Sequence, residues 1–146
     1  MPVVRFNYAD VPPLKIKSKS AIKKTVVQIF LLETRELERI NYIYCSDKFL
    51  LQINNSYLNH DYLTDIITFD LSEATGTIGE VYISVDRVRE NAVYQNTSFL
   101  EELARVVFHG ALHLCGYRDK KKSEITIMRQ KEEYYLHLFD THKLKK

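Results

Sequence analysis

The sequence predicts an α+β fold in which strands and helices are mixed along the chain. Two observations support this prediction. Short segments in which apolar and polar residues alternate are interleaved with longer segments whose apolar residues recur every three or four positions. The helical segments are also long enough to cover a sheet, and that packing buries the apolar side of both kinds of element.

The composition is that of one globular domain spanning residues 1–146. Hydrophobic residues make up 45% of the chain, which is enough for a core. The 21 basic and 19 acidic residues give a net charge of +2, so any RNA contact must come from a local basic patch. Two cysteines without a disulfide framework predict a cytoplasmic protein. No leader and no long apolar run is present, so no membrane contact is expected.

The first half of the chain predicts two strands, each followed by a helix. Residues 3–8 form a short strand, which the prolines at 12–13 end. The apolar periodicity of Leu14–Thr34 predicts a mostly helical segment. Alternation over Glu38–Ser46 predicts the second strand. A helix over Asp47–Leu58 follows, and Asp47 is expected to cap it.

The second half predicts two more strands and three helices. A polar loop at 59–65 precedes a strand at 66–69, and a further loop leads to a strand at 80–84. A short helix opens at Asp86 and continues to about Tyr94. The last amphipathic helix extends from about Ser123 to Leu138.

The second of these three helices lies between Ser98 and Gly116 and carries the residues with the clearest chemistry. Ser98 and Glu101 have the spacing of a capping box, and Gly116 suits the left-handed turn that ends a helix. Apart from one polar stripe the helix surface is apolar, so we expect this helix to be buried. The polar stripe consists of Glu102, Arg105, His109 and His113.

The two histidines of the stripe indicate a metal site. His109 and His113 are four residues apart and therefore point the same way, so both imidazoles can bind one ion. Asp119 follows a glycine turn and offers a third ligand. The alternative is that the paired histidines are only hydrogen-bonded. A peptidase of the His-Glu-x-x-His kind is not indicated, because Gly110 replaces its glutamate base.

The run His109–Tyr117 reads His-Gly-x-Leu-His-Leu-x-Gly-Tyr and resembles the hallmark of the YbeY family of bacterial endoribonucleases and rRNA maturation factors. Leu58–Asn59, Thr64–Phe69 and Gly79–Ile83 are similar to three further blocks of that family. The resemblance implies a four-stranded mixed sheet with the metal-binding helix packed against it. It also implies a metal-dependent endoribonuclease that acts on single-stranded RNA in ribosomal RNA maturation, with the ribosome or its small subunit as partner.

The sequence departs from the family at two places. The family continues Asp-His after the tyrosine, and its last histidine is the third zinc ligand. Here those positions are Arg118 and Asp119, so the resemblance implies the ligands His109, His113 and Asp119. Such a set suits one divalent ion, zinc first, although a carboxylate admits manganese or iron more readily.

The second departure is a missing arginine. The family has an arginine after its Leu-Asn block, whereas no arginine occurs here between Ser46 and Asp86. Arg118 is a speculative substitute, and the alternative is that it is an exposed turn residue. The role of holding phosphate therefore has no assigned residue.

Three acidic residues are candidates for roles beside the metal. Asp65 and Glu80 match carboxylates of the family blocks and lie at strand edges, so each is a candidate for proton transfer or, equally, for capping a turn. Glu102 lies ~10 Å along the helix axis from His109. We therefore expect Glu102 to pair with Arg105 or Arg129 instead of acting as the base.

Lysines and tyrosines supply the candidates for RNA binding. Lys120, Lys121 and Lys122 directly follow Asp119, so they are expected near the mouth of the cleft, where they can contact phosphates. A second group of lysines precedes and begins the first helix (Lys15, Lys17, Lys19, Lys23 and Lys24). Rings for base stacking are offered by Tyr57, Tyr62 and Tyr117. The alternative is that the lysines only solvate the surface and the tyrosines belong to the core.

Two other functions remain open from the sequence. A metallohydrolase acting on a small molecule or peptide would share the three metal ligands. A non-catalytic ribosome-assembly factor would keep the fold and the metal without turnover, and the missing arginine is consistent with this second alternative.

Overall fold

The computed structural model describes residues 1–59 and 64–144. Its elements are, in chain order, β1 (Val3–Tyr8), α1 (Lys19–Leu32), β2 (Leu37–Cys45), α2 (Asp47–Leu58), β3 (Ile66–Asp70), β4 (Thr77–Ser84), α3 (Val85–Tyr94), α4 (Phe99–Leu114) and α5 (Lys122–Leu144).

The four strands form one mixed sheet in the order β1-β2-β4-β3, which confirms the predicted fold class. β1, β2 and β4 are parallel, and β3 is antiparallel to β4. Parallel neighbours need a crossover connection, and α1 supplies the one between β1 and β2. β1 and β3 therefore lie at opposite edges of the sheet.

Helices cover both faces of the sheet, but unequally. α1 and α4 pack on one face, and α5 packs against both of them on the outside. The main core lies between this helical layer and the sheet side chains Ile40, Tyr42, Val81 and Ile83. α2 covers part of the other face, where a smaller core joins Leu50 and Ile53 to Ile67.

Two glycines bring α4 close to β4. A Cβ atom at Gly79 would lie 2.4 Å from Cδ1 of Leu114, and one at Gly110 would lie 2.9 Å from Cγ1 of Val81. Neither position leaves room for a side chain without movement of its neighbours. Gly110 thus has a packing role directly beside His109.

Two helix starts differ from the prediction. α1 begins at Lys19 and not at Leu14, because Leu14 and Ile16 pack against the core in a non-helical segment. Ser46, not Asp47, is the N-cap of α2, and its hydroxyl accepts a hydrogen bond from the backbone N–H of Phe49. The Asp47 carboxylate instead accepts hydrogen bonds from Ser84 and Arg87.

Two elements are longer than predicted. β4 begins at Thr77 and not at residue 80, because its first residues pair with β2 and β3 on both sides. α5 continues to Leu144, beyond the predicted end at Leu138, and buries Phe139. Both cysteines are buried and unpaired. Of the helices within 1–59 and 64–144, none is long and apolar enough to cross a membrane.

Glu33 connects three parts of the fold at the carboxyl end of α1. Its carboxylate accepts hydrogen bonds from the hydroxyl of Tyr117 at 2.6 Å, from Tyr135 at 2.5 Å and from the ammonium of Lys131 at 3.0 Å. Burial raises the pKa of Glu33, but these three donors outweigh burial and leave the pKa below its ordinary value of 4.5. Glu33 therefore ties the turn after α4 to α1 and α5.

We expect Glu33→Gln to lower the free energy of unfolding by about 2 kcal/mol at pH 7, because charge-assisted hydrogen bonds are lost. The folded-state pKa of Glu33 is depressed, so its stabilisation is present above 4.5 and disappears as the pH falls through the folded pKa. The difference between wild type and variant should therefore shrink below about pH 4. Urea denaturation at several pH values measures this difference, and a constant difference would contradict the prediction.

Candidate metal centre and cleft

The polar stripe of α4 forms the floor of a cleft of about 1030 Å³. Residues 64–70, in and before β3, form one wall, and α5 forms the other. The carboxyl ends of α2 and α3 also border the cleft, and α3 ends shortly before the amino end of α4. Asp119 and Lys120 border it at the opposite end.

Three predicted ligands converge at one end of this floor. Oδ2 of Asp119 lies 3.1 Å from Nε2 of His109 and 3.4 Å from Nε2 of His113. Ligand atoms at tetrahedral zinc are separated by about 3.3 Å, given bonds of about 2.0–2.1 Å. These donor atoms therefore fit a single metal ion, and they are the one such group found in the described part of the chain.

Glu132 of α5 orients the first histidine. Its Oε2 atom lies 2.6 Å from Nδ1 of His109, and its side chain is only 5% exposed. Because a carboxylate only accepts hydrogen bonds, Nδ1 of His109 is the donor, and Nε2 is left facing Asp119. A buried carboxylate behind a metal-binding imidazole fixes its tautomer and increases its basicity.

The second histidine is held by the backbone. Nδ1 of His113 donates to the carbonyl oxygen of Tyr117 at 2.9 Å, which turns Nε2 toward Asp119. This carbonyl faces His113 because α4 ends at Leu114 and the chain reverses at Gly116, where φ is +100°. The sequence predicted this left-handed turn from the glycine. The bond from Tyr117 to Glu33 in turn fixes this turn.

The two imidazoles differ in their proton affinity. Burial lowers the pKa of His109, but hydrogen bonds to Asp119 and Glu132 outweigh it and raise the pKa to about 9. Burial and the neighbouring charge of His109 lower the pKa of His113. The hydrogen bond from His109 also holds the pKa of Asp119 below its usual range. Binding a metal ion at neutral pH therefore requires His109 to release a proton.

Arg105, on the next part of the floor, is paired with three carboxylates of α4 and α5. Its guanidinium lies 3.4 Å from Glu102, 3.4 Å from Glu132 and 2.9 Å from Glu133. The pairing of Glu102 with Arg105 agrees with the sequence-based expectation. Glu102 is 2% exposed, and burial raises its pKa to about 7.

The structure separates the two other candidate acids. Asp65 lines the cleft beside the histidines, and burial raises its pKa. Glu80 is not in the cleft. It alternates with Gly79 and Val81, which face α4, and therefore points to the opposite face of the sheet. There it accepts a hydrogen bond from the hydroxyl of Tyr82 at 2.7 Å.

The candidate RNA-binding residues are also separated. Of the three lysines after Asp119, Lys120 lines the cleft, whereas Lys121 and Lys122 are exposed at the start of α5. The lysines of α1 belong to the opposite sheet edge, as Lys19 and Lys23 both lie 5.9 Å from the ring of Phe6 in β1.

Two of the tyrosines singled out from the sequence, Tyr57 and Tyr117, are not stacking surfaces of the cleft. Tyr57 packs edge-on against Phe69, and the hydroxyl of Tyr117 is bound to Glu33. Tyr62 lies outside the described residues. Arg118 is exposed and is absent from the cleft lining, so the structure does not support it as a substitute for the missing arginine.

Glu132 and Tyr94 also line the cleft and were not singled out from the sequence, and Arg129 was named there only as a partner for Glu102. One signal was available for Glu132. It follows Met128 by four residues and precedes Leu136 by four, so it occupies the buried face of an amphipathic helix. A glutamate on such a face needs a partner. No comparable sequence signal distinguishes Arg129 or Tyr94 from surface residues.

The sequence model of the family described as Endoribonuclease YbeY matches residues 10–140. A protein named Endoribonuclease YbeY from Flavobacterium psychrophilum is 44% identical over 137 residues, covering 94% of this chain and 96% of the relative. The protein of the same name from Cytophaga hutchinsonii is 43% identical over 134 residues, covering 91% of this chain and 94% of the relative.

A solution structure from Thermotoga maritima has a similar fold. It matches with a TM-score of 0.65 and 28% identity, covering 93% of this chain and 88% of that chain. The family model matches most of the sequence, and the named relatives are more than 40% identical to it. The chain therefore belongs to the YbeY family of endoribonucleases.

Proposed function

We propose that residues 1–146 form a single metal-dependent hydrolase domain that cleaves single-stranded RNA endonucleolytically during ribosomal RNA maturation. The observation that carries the proposal is the convergence of His109, His113 and Asp119 on the floor of an open cleft, in a chain of the YbeY family. The donor set favours zinc, because two imidazoles and one carboxylate form a common open zinc site.

The residues around the donor set have complementary roles in this proposal. A divalent ion bound there supplies Lewis-acid polarisation of a phosphodiester oxygen. Asp65, beside the histidines and with a raised pKa, is the proton acceptor for the attacking hydroxyl. Lys120 and Arg129 line the cleft and supply positive charge for phosphates, so they take the role of the missing arginine.

This function is favoured over the two alternatives by the family to which the chain belongs. A metallohydrolase of another substrate class would share the metal ligands but has no support from the named relatives. A non-catalytic assembly factor would need only the metal and the fold, whereas the position of Asp65 in the cleft supports a role in proton transfer. The proposal includes the small ribosomal subunit as partner and a cytoplasmic location, for which the two unpaired cysteines remain the support.

The metal assignment is tested by elemental analysis and by RNA cleavage with and without a chelator. We expect about one zinc per chain and loss of cleavage in the chelator. His113→Ala should lose both the metal and the activity, because two ligands seldom retain zinc. Asp119→His, which restores the family pattern, should bind zinc at least as tightly.

His137→Ala is the matched control for this experiment, since His137 is an exposed histidine of α5 outside the cleft. It should keep both metal and activity. A His113→Ala protein that retains stoichiometric metal would overturn the ligand assignment.

Glu132→Gln tests the orientation of His109. Glutamine keeps the shape but loses the charge, so zinc affinity should fall by about 10- to 100-fold. Glu133→Gln is the control, because Glu133 is exposed on the same helix and also contacts Arg105 but does not touch a histidine. Competition with a chromogenic chelator measures both affinities. Equal affinities in the two variants would show that Glu132 has no special role.

The lysine patch is tested by the salt dependence of RNA binding. Replacing Lys120, Lys121 and Lys122 by Ala should weaken binding of a single-stranded oligonucleotide and reduce the slope of log K against log[salt] by up to about 2. The control replaces Lys15, Lys17 and Lys19, which are exposed in a segment at the opposite sheet edge. If both triple variants change the slope equally, the patch beside Asp119 has no particular part in binding.

A further inference from the structure

The cleft continues well beyond the metal ligands, toward the amino end of α4. Glu102 lies two helical turns before His109, a distance of ~10 Å along the axis. At a volume of about 1030 Å³ the cleft is much larger than a metal ion and one phosphate require. The part of the cleft near Glu102 therefore has space for another portion of a substrate.

The wall at this end is the last turn of α3. Asn91, Tyr94 and Gln95 all line the cleft. Asn91 and Tyr94 are three residues apart in α3, and Gln95 is its C-cap residue, so the three side chains lie on one side of this helix end. Two amides and one aromatic ring are thus presented together to the cleft.

These three side chains make few contacts with the rest of the described structure. Tyr94 is 91% exposed, and its ring makes no aromatic contact within the described part of the chain. The side-chain amides of Asn91 and Gln95 form no hydrogen bond to any described residue. An exposed ring that borders a cleft next to two unused amides matches what a nucleobase requires: a stacking surface and hydrogen-bonding groups for its edge.

The electrostatics of this end disfavour phosphate. α3 ends here, so the negative end of its dipole faces the cleft. The buried Glu102 carboxyl also lines this end. The helix end repels an anion and attracts N–H donors, whereas the charge of Glu102 is paired with that of Arg105. The ligand portion that fits this helix end is therefore a neutral base with an amino group, while phosphates are left to the metal site and Lys120.

We infer that Asn91, Tyr94 and Gln95 form a subsite for a nucleobase that carries an exocyclic amino group, an inference that rests on the proposed ribonuclease function. Tyr94 stacks on the base, and the two amides hydrogen-bond its edge. The amino group points toward the negative end of α3 and Glu102. Cytosine and uracil are suited to testing this preference, because cytosine has an amino group at the ring position where uracil has a carbonyl.

The inference is tested by titrating the zinc-loaded full chain with cytidine 5′-monophosphate, uridine 5′-monophosphate and ribose 5-phosphate. We expect both nucleotides to bind more tightly than ribose 5-phosphate, by about tenfold for the cytidine nucleotide. The cytidine nucleotide should bind more tightly than the uridine nucleotide. Equal affinity for all three compounds would overturn the subsite.

Variants then assign the contacts. Tyr94→Ala should remove most of the advantage of both nucleotides over ribose 5-phosphate. The double variant Asn91→Leu and Gln95→Met should lose the cytidine preference. The controls are Tyr134→Ala and Gln130→Met, which alter exposed residues of α5 outside the cleft lining and should change nothing. Because Tyr94 is exposed, its replacement should leave the melting temperature unchanged, and unchanged nucleotide affinity in folded Tyr94→Ala would overturn the inference.

An RNA-cleavage assay on the wild type separates this inference from the proposed function. Wild-type protein that prefers nucleotides to ribose 5-phosphate but cleaves no RNA would contradict the ribonuclease proposal and leave the base subsite standing. Wild-type protein that cleaves RNA, with an unchanged KM in Tyr94→Ala, would contradict the subsite alone.

Discussion

The burial of α4 on nearly every side is the constraint from which the site follows. Because Gly110 has no side chain, this helix packs closely against the sheet, while α1, α3 and α5 pack around its remaining surface. Its polar stripe can therefore open in only one direction, into the cleft. Because buried polar groups are costly without partners, the stripe must be matched by groups on neighbouring elements, and Glu132 and Asp119 provide them for the histidines.

The two histidines are made different by what lies behind them. His109 has a buried carboxylate at Nδ1, and His113 has a backbone carbonyl. The carboxylate makes His109 the more basic ring, which agrees with the opposite pKa shifts of the pair. The carbonyl behind His113 belongs to Tyr117, which Glu33 holds in place. α1 therefore contributes to the geometry of the site without touching it.

Local sequence patterns predicted the type and order of every element, because periodicity and capping act over short distances. Boundaries set by distant partners were not predictable: β4 begins at Thr77, which pairs with Leu37 of β2. The same holds within the site. The three candidate ligands lie within residues 109–119 and could be found from spacing, whereas Glu132 comes from another helix. The face occupied by Glu80 depends on which side of the sheet α4 covers.

The contact of Gly110 with the sheet also limits the reactions that this histidine pair can support. In the His-Glu-x-x-His proteases the residue at this position carries the catalytic carboxylate. Here a side chain would meet Val81 and Ile66 in the core instead of a substrate. Under the proposed function the base therefore comes from another element, and Asp65 before β3 is the candidate. In this architecture the close contact between helix and sheet leaves no space for an acidic side chain after the first histidine. The same pair of histidines therefore cannot be combined with the protease's glutamate base.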